Sequence, residues 1–131
     1  MNLKILIFVV IVGLLLIAGL VFVLRSPEDS WIKDSNGTWI KPGVPSDVPD
    51  DVKAQQDVVI GAMQLYQQKK AEGMQFNSQC LGNVGNYALD VVHVPRTNED
   101  DLPQNQCFDY LDGNVKHFIE LDKDGNIVRI M

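Results

Sequence analysis

From Ile5 to Leu24 the chain runs without a charged or strongly polar side chain. Nothing else in the sequence limits the fold as tightly. A helix rises about 1.5 Å per residue, so the run covers about 30 Å, the thickness of a bilayer's hydrocarbon core. A helix also satisfies its own backbone polar groups, which lipid requires. The run therefore predicts a transmembrane anchor over residues 1–25. A cleaved signal peptide has a hydrophobic region of about 7–15 residues and a small-x-small site. Here the run is longer, and Leu16 and Ile17 stand two positions before Ala18 and Gly19. Leu16-Ile17-Ala18-Gly19 has the form of a lipoprotein box, but Leu20 occupies the position of the lipidated Cys. The expectation is an uncleaved single-pass anchor, without the small-xxx-small spacing that packs two such helices together.

Charges beside the run do not orient it. Lys4 lies on one side and Arg25 on the other, followed by Glu28 and Asp29. The cysteines orient it instead. Cys80 and Cys107 are too far apart for a C-x-x-C redox or zinc motif, and an even count in an extracytoplasmic domain reads as one structural disulfide. Closing that loop contributes about 3–4 kcal/mol in the chain-entropy view. The reading is an N-terminus in the cytoplasm and a C-terminal domain outside. Two buried thiols in a cytosolic domain is the competing reading, so disulfide and orientation stand together.

The chain carries 17 acidic against 11 basic residues, a formal net charge of −6. Nucleic acid and anionic lipid headgroups reward clusters of Lys and Arg, and Lys69-Lys70 is the densest pair present. Nucleic acid is excluded as a partner. The expected partners are the bilayer itself and another envelope protein.

Residues 26–48 read as a juxtamembrane hairpin and linker. Trp31-Ile32-Lys33 and Trp39-Ile40-Lys41 flank Asp34-Ser35-Asn36-Gly37, and Asn-Gly between apolar stretches signals a hairpin. Trp31 and Trp39 are candidates for a membrane-interface belt or a ligand-binding pair, with packing against the domain as the plainer alternative. Asn36-Gly37-Thr38 fits the N-glycosylation pattern, making Asn36 a candidate acceptor. The prolines between Pro42 and Pro49 mark an extended linker.

Residues 49–131 read as a small α+β extracytoplasmic domain. Val52, Val59, Ala62, Met63 and Tyr66 recur at helical spacing, with Asp50 and Asp51 at the start and Gly73 at the close. Asn77–Asn86 reads as loop, Tyr87–Val94 as strand, Pro95–Gln106 as a polar connection and Cys107–Tyr110 as a strand or short turn. Val115–Leu121 pairs with Asn126–Ile130 across Asp122-Lys123-Asp124-Gly125. The expected architecture is a transmembrane helix plus one amphipathic helix on an antiparallel sheet of three or four strands.

No catalytic, cofactor or metal motif stands out, and no cofactor is expected. His93 and His117 each share a strand face with apolar residues. With Asp90 or Glu120 they lack any ligand spacing, and Asp122–Gly125 lacks the terminal Glu of a calcium loop. The leading functional expectation is therefore a non-enzymatic, membrane-anchored envelope module for protein interaction or scaffolding. A small enzyme using His93, Asp90 or His117 is a further alternative.

Two resemblances bear on this. Trp31-Ile32, Gly37-Thr38-Trp39-Ile40-Lys41, Gly43 and Pro45-Ser46 resemble a pattern in short membrane-anchored or lipoprotein-like envelope proteins of archaea and bacteria with no known activity. His117 to Asp122 and Gly125 to Val128 have a similar character. The resemblance covers roughly a third of the chain and implies an envelope location. In that pattern a Cys often follows the first Trp-Ile; here Lys33 stands there. The chain also resembles type IV pilins in having an apolar N-terminal helix, a small sheet and a disulfide, which implies an assembling surface subunit. It departs from them in lacking a Gly-ended basic leader and a Glu inside the run, and Pro27 interrupts the helix.

Overall fold

The computed structural model describes residues 3–24, 30–43 and 47–131. The chain divides into two units, one of residues 1–30 with 41–46, the other of 31–40 with 47–131. The first contains helix α1, Leu3–Leu24. Among the described residues no helix is long and apolar enough to cross a membrane. This corrects the expected transmembrane anchor, and with it the single-pass membrane placement with the N-terminus in the cytoplasm. Pro27 and, within the Pro42–Pro49 linker, Val44 to Ser46 lie outside the described residues.

The second unit is α+β. A short hairpin comes first, β1 (Ile32–Lys33) with β2 (Trp39–Ile40). Asp34 builds its turn: Oδ1 accepts the N–H groups of Asn36 and Thr38, both at 2.9 Å, and Gly37 takes the positive φ. Helix α2 (Asp50–Ala71) follows, with Asp50 and Asp51 at its positive end and Lys69 and Lys70 at its negative end. Its buried stripe is Val52, Gln55, Ala62 and Tyr66. The polar member is explained by the hairpin. Gln55 Oε1 accepts Trp39 N–H at 2.8 Å and its Nε2 donates to Gly37 O at 2.9 Å, tying the hairpin to the helix.

The main sheet contains β3 (Gln79–Val84), β4 (Tyr87–Val91), β5 (His117–Leu121) and β6 (Ile127–Ile130), in that order. The sheet is mixed, which corrects the antiparallel expectation: β4 and β5 run parallel. Parallel neighbours need a crossover of a dozen or more residues. Here it is the segment Val92–Lys116, which carries 3-10 turns at Asn98–Asp101 and Pro103–Asn105 and a short helix α3 (Phe108–Leu111). Strand β3 occupies part of the stretch read as loop, and α3 occupies the place expected to be a strand or short turn.

The sheet has two differently dressed faces. One packs Leu81, Leu89, Val91, Ile119, Leu121 and Ile130 against Ala62 and Tyr66 of α2. The other packs Ala88 and Phe118 with Cys107 and Val115, beneath the crossover. Alternation along β4 and β5 places Asp90 and Glu120 on this second face, side by side in the parallel register.

Candidate functional site

The second face carries the polar centre of the molecule. Cys80 pairs with Asp90 across β3 and β4, and a bulge between Cys80 and Gly82 follows immediately. Cys80 is joined to Cys107 in a disulfide with Cα atoms 4.8 Å apart. Such bonds persist in oxidising compartments. Asp90 sits beside it, only 7% exposed. Cys107 N–H donates to Asp90 Oδ1 at 3.1 Å, the one donor to this carboxylate among the described residues. A carboxylate oxygen of Asp90 and the two sulfurs lie within 4.8 Å of one another. Because the sulfurs are bonded together, they offer no thiolate to a metal in this state.

Glu120 is equally buried but fully engaged. Arg129 grips it with two bonds of 3.1 Å, and Arg96 Nη1 donates to Oε1 at 2.9 Å. Arg96 also bonds Asp101 Oδ1 at 2.9 Å. These bonds, that from Glu120 first, hold the Arg96 guanidinium more firmly protonated than usual, against its partial desolvation. Arg129 lies over the Phe118 ring at 4.7 Å, and Tyr110 meets that ring edge-on.

Asp90, Arg96, Tyr110, Phe118, Glu120 and Arg129 line one cleft of about 340 Å³. Buried Asp100 and exposed Asp101 also line it, so four carboxylates and two guanidiniums contribute to the lining. Burial pushes the Asp90 carboxyl up to about 6. The Cys107 N–H opposes that shift, the charge of Glu120 adds to it and that of Arg96 reduces it. Asp90 is thus a buried carboxyl that changes charge near neutrality and lines an open cleft. Sites of this kind are where binding and proton transfer are most often found.

The histidines are not brought to this cleft. His93 Nδ1 lies 3.0 Å from Asp100 Oδ1, and Nε2 lies 2.6 Å from Asn77 Oδ1. It lines a separate cavity of about 350 Å³ with Phe76, Val94 and Thr97. Asp100 is its anchor. Burial raises that carboxyl, but the N–H groups of Thr97 and His93, with Ser78 and the His93 ring, outweigh it and hold it at about 2. His117 lines neither cavity; it stacks on Tyr87 with ring centres 4.8 Å apart. Neither of these two cavities of the described residues brings Asp90, His93 and His117 together.

Trp31 and Trp39 are half-buried in the hairpin. The indole N–H of Trp31 donates to Asp47 O at 3.0 Å, and Lys33 Nζ lies 5.1 Å from the Trp39 ring centre. Asn36 Nδ2, the atom a glycan would occupy, donates to Ile127 O at 3.3 Å. Asp122 Oδ1 accepts the N–H groups of Asp124 and Asn126, so this acidic loop satisfies its own turn. Sequence reasoning named Asp90 only as a histidine's companion and missed Arg96 and Arg129. The available signal was that Asp90 and Glu120 interrupt apolar strands at the same alternation as buried neighbours.

No family model, curated protein or solved structure matches this chain.

Proposed function

We propose that the second unit is a non-enzymatic protein-interaction module of an oxidising compartment, and that its cleft receives a basic side chain of the partner. One observation carries this reading. Asp90 is nearly buried, has a single hydrogen-bond donor among the described residues, and lines an open cleft. Glu120 is neutralised by Arg96 and Arg129, so Asp90 is the carboxylate left for a ligand. A Lys or Arg tip offers the donors that such an acceptor lacks. The surplus of acidic residues favours a basic partner at longer range as well.

An amide NMR titration with a short lysine-rich peptide tests the proposal. Shifts should concentrate on Asp90, Arg96, Tyr110 and Glu120 at pH 7.5. Asp90→Asn should weaken binding at least fivefold. Lowering the pH to 5 should do the same to the wild type, because a carboxyl held at about 6 is then protonated. Equal affinity for wild type and Asp90→Asn would remove the cleft from the reading.

A further inference from the structure

We propose that the Cys80–Cys107 bond is a thiol–disulfide exchange site in which Asp90 acts as proton donor to the departing Cys107 sulfur. This goes beyond the binding role and does not depend on it. Three geometric facts support it. A carboxylate oxygen of Asp90 lies within 4.8 Å of both sulfurs. Cys80 is half-buried whereas Cys107 is 1% exposed, so an incoming thiol meets Cys80 first. The Asp90 carboxyl lines an open cleft and can recover a proton from solvent there.

The reductant is an external dithiol. Its thiolate attacks Cys80 Sγ, forming a mixed disulfide, and the Cys80–Cys107 bond breaks. The electron pair goes to Cys107 Sγ, which takes the proton of the Asp90 carboxyl through one intervening water from the cleft. A buried thiolate with no proton source would be costly, so the donor lowers the barrier. The second thiol of the reductant then displaces Cys80, which is protonated by solvent. The reductant leaves as its own disulfide, two electrons poorer, and the protein as a dithiol. The reduced Cys107 has acceptors in place: Leu89 O lies 3.5 Å and Gly82 O 3.6 Å from its sulfur. In the oxidising direction Asp90 carboxylate takes that proton back.

Cys107 N–H, Glu120 and Arg96 act on the Asp90 carboxyl beside its burial, and further charged and titratable groups line the same cleft. Glu120 stands beside it on β5 and Arg129 beyond on β6. Arg96, Asp100 and Asp101 come from the crossover, and Tyr110 from α3. Asp90 reaches about 6 in this setting.

The test measures opening of the disulfide in the full chain by dithiothreitol, by mass after alkylation, from pH 5 to 8. Rates are expressed per reductant thiolate, which removes the reagent's own ionisation. The wild-type value should fall at least tenfold across this range, with its midpoint near 6. Asp90→Asn and Asp90→Ser should give flat profiles at the low wild-type limit. Glu120→Gln should move the midpoint to lower pH, since a charge that holds the proton on Asp90 is gone; a structural role for Asp90 would not give that shift. A flat wild-type profile overturns the proposal whether or not the variants fold. A fall that persists in either Asp90 variant overturns it too.

Discussion

Two buried carboxyls pull the stability of this protein in opposite directions. Asp100 is held at about 2 when folded, below its ordinary 3.8. Its contribution is complete above about pH 4 and is lost as pH falls through about 2. Asp90 is raised to about 6, so the folded state holds its proton more tightly than the unfolded chain. Its effect is the reverse: stability is greatest below about pH 4 and declines as pH rises through about 6. The rise corresponds to on the order of 3 kcal/mol. Urea midpoints should therefore be higher at pH 4.5 than at pH 7. Asp90→Asn should flatten that decline while keeping an acceptor for the Cys107 N–H. A variant that declines between those pH values as steeply as wild type would refute the assignment to Asp90. Gln55 gives a second test at this scale. Gln55→Leu keeps most of the packing volume but leaves Trp39 N–H and Gly37 O without their partner. A loss of about 2–3 kcal/mol is expected in denaturant unfolding, with the Trp fluorescence of the hairpin changed before unfolding begins.

Among the elements, the β5–β6 hairpin turns on Gly125. Its φ is 89°, and a Cβ there would press on the Tyr66 ring, whose hydroxyl donates to Lys123 O at 3.0 Å. Gly125→Ala should cost about 2–3 kcal/mol, from left-handed strain and displacement of a buried aromatic, read as a lowered Tm. That turn was legible because Asp-x-Asp-Gly lies between two alternating runs. Helix α2 was legible for a similar reason: Val52, Ala62 and Tyr66 repeat at helical spacing. Strand β3 was not. Gln79, Gly82 and Asn83 are poor strand formers, and the bulge after Cys80 breaks the two-residue period. The signal overlooked was Gly85-Asn86, a two-residue turn joining Val84 to Tyr87. Parallel pairing of β4 with β5 was hidden because alternation looks the same in either direction. Only the length of the Val92–Lys116 connection distinguished the two. The cleft was hidden for a related reason. Asp90, Glu120 and Arg129 become neighbours through strand register, and register is not a local property of any one strand.

At the scale of the whole molecule, an unbroken apolar run suggested a membrane anchor, and α1 does not supply one among the described residues. Hydropathy of a sequence says where an apolar segment begins and ends; it does not establish a span. The second unit carries its own core, its own sheet and the disulfide. A chain beginning at Trp31 should therefore unfold cooperatively and protect both cysteines from alkylation until reductant is added. Replacing both Cys80 and Cys107 by Ala should lower its stability by about 3–4 kcal/mol, because a closed loop of this length restrains the unfolded chain. Alkylation without reductant, in the folded fragment, would contradict the bond.

The hairpin turn has an effect beyond its own two strands. Asn36 O accepts Ile130 N–H at 2.7 Å and Asn36 Nδ2 donates to Ile127 O, so the free side of β6 is already occupied. A β-sheet propagates through a crystal or a fibril only if each molecule can pair at both ends. With β6 occupied, strand addition to the four-stranded sheet is left to β3, its other edge among the described residues, and ends at a pair. Two contacts from one asparagine, one from its backbone and one from its side chain, thus close one end of this sheet to growth.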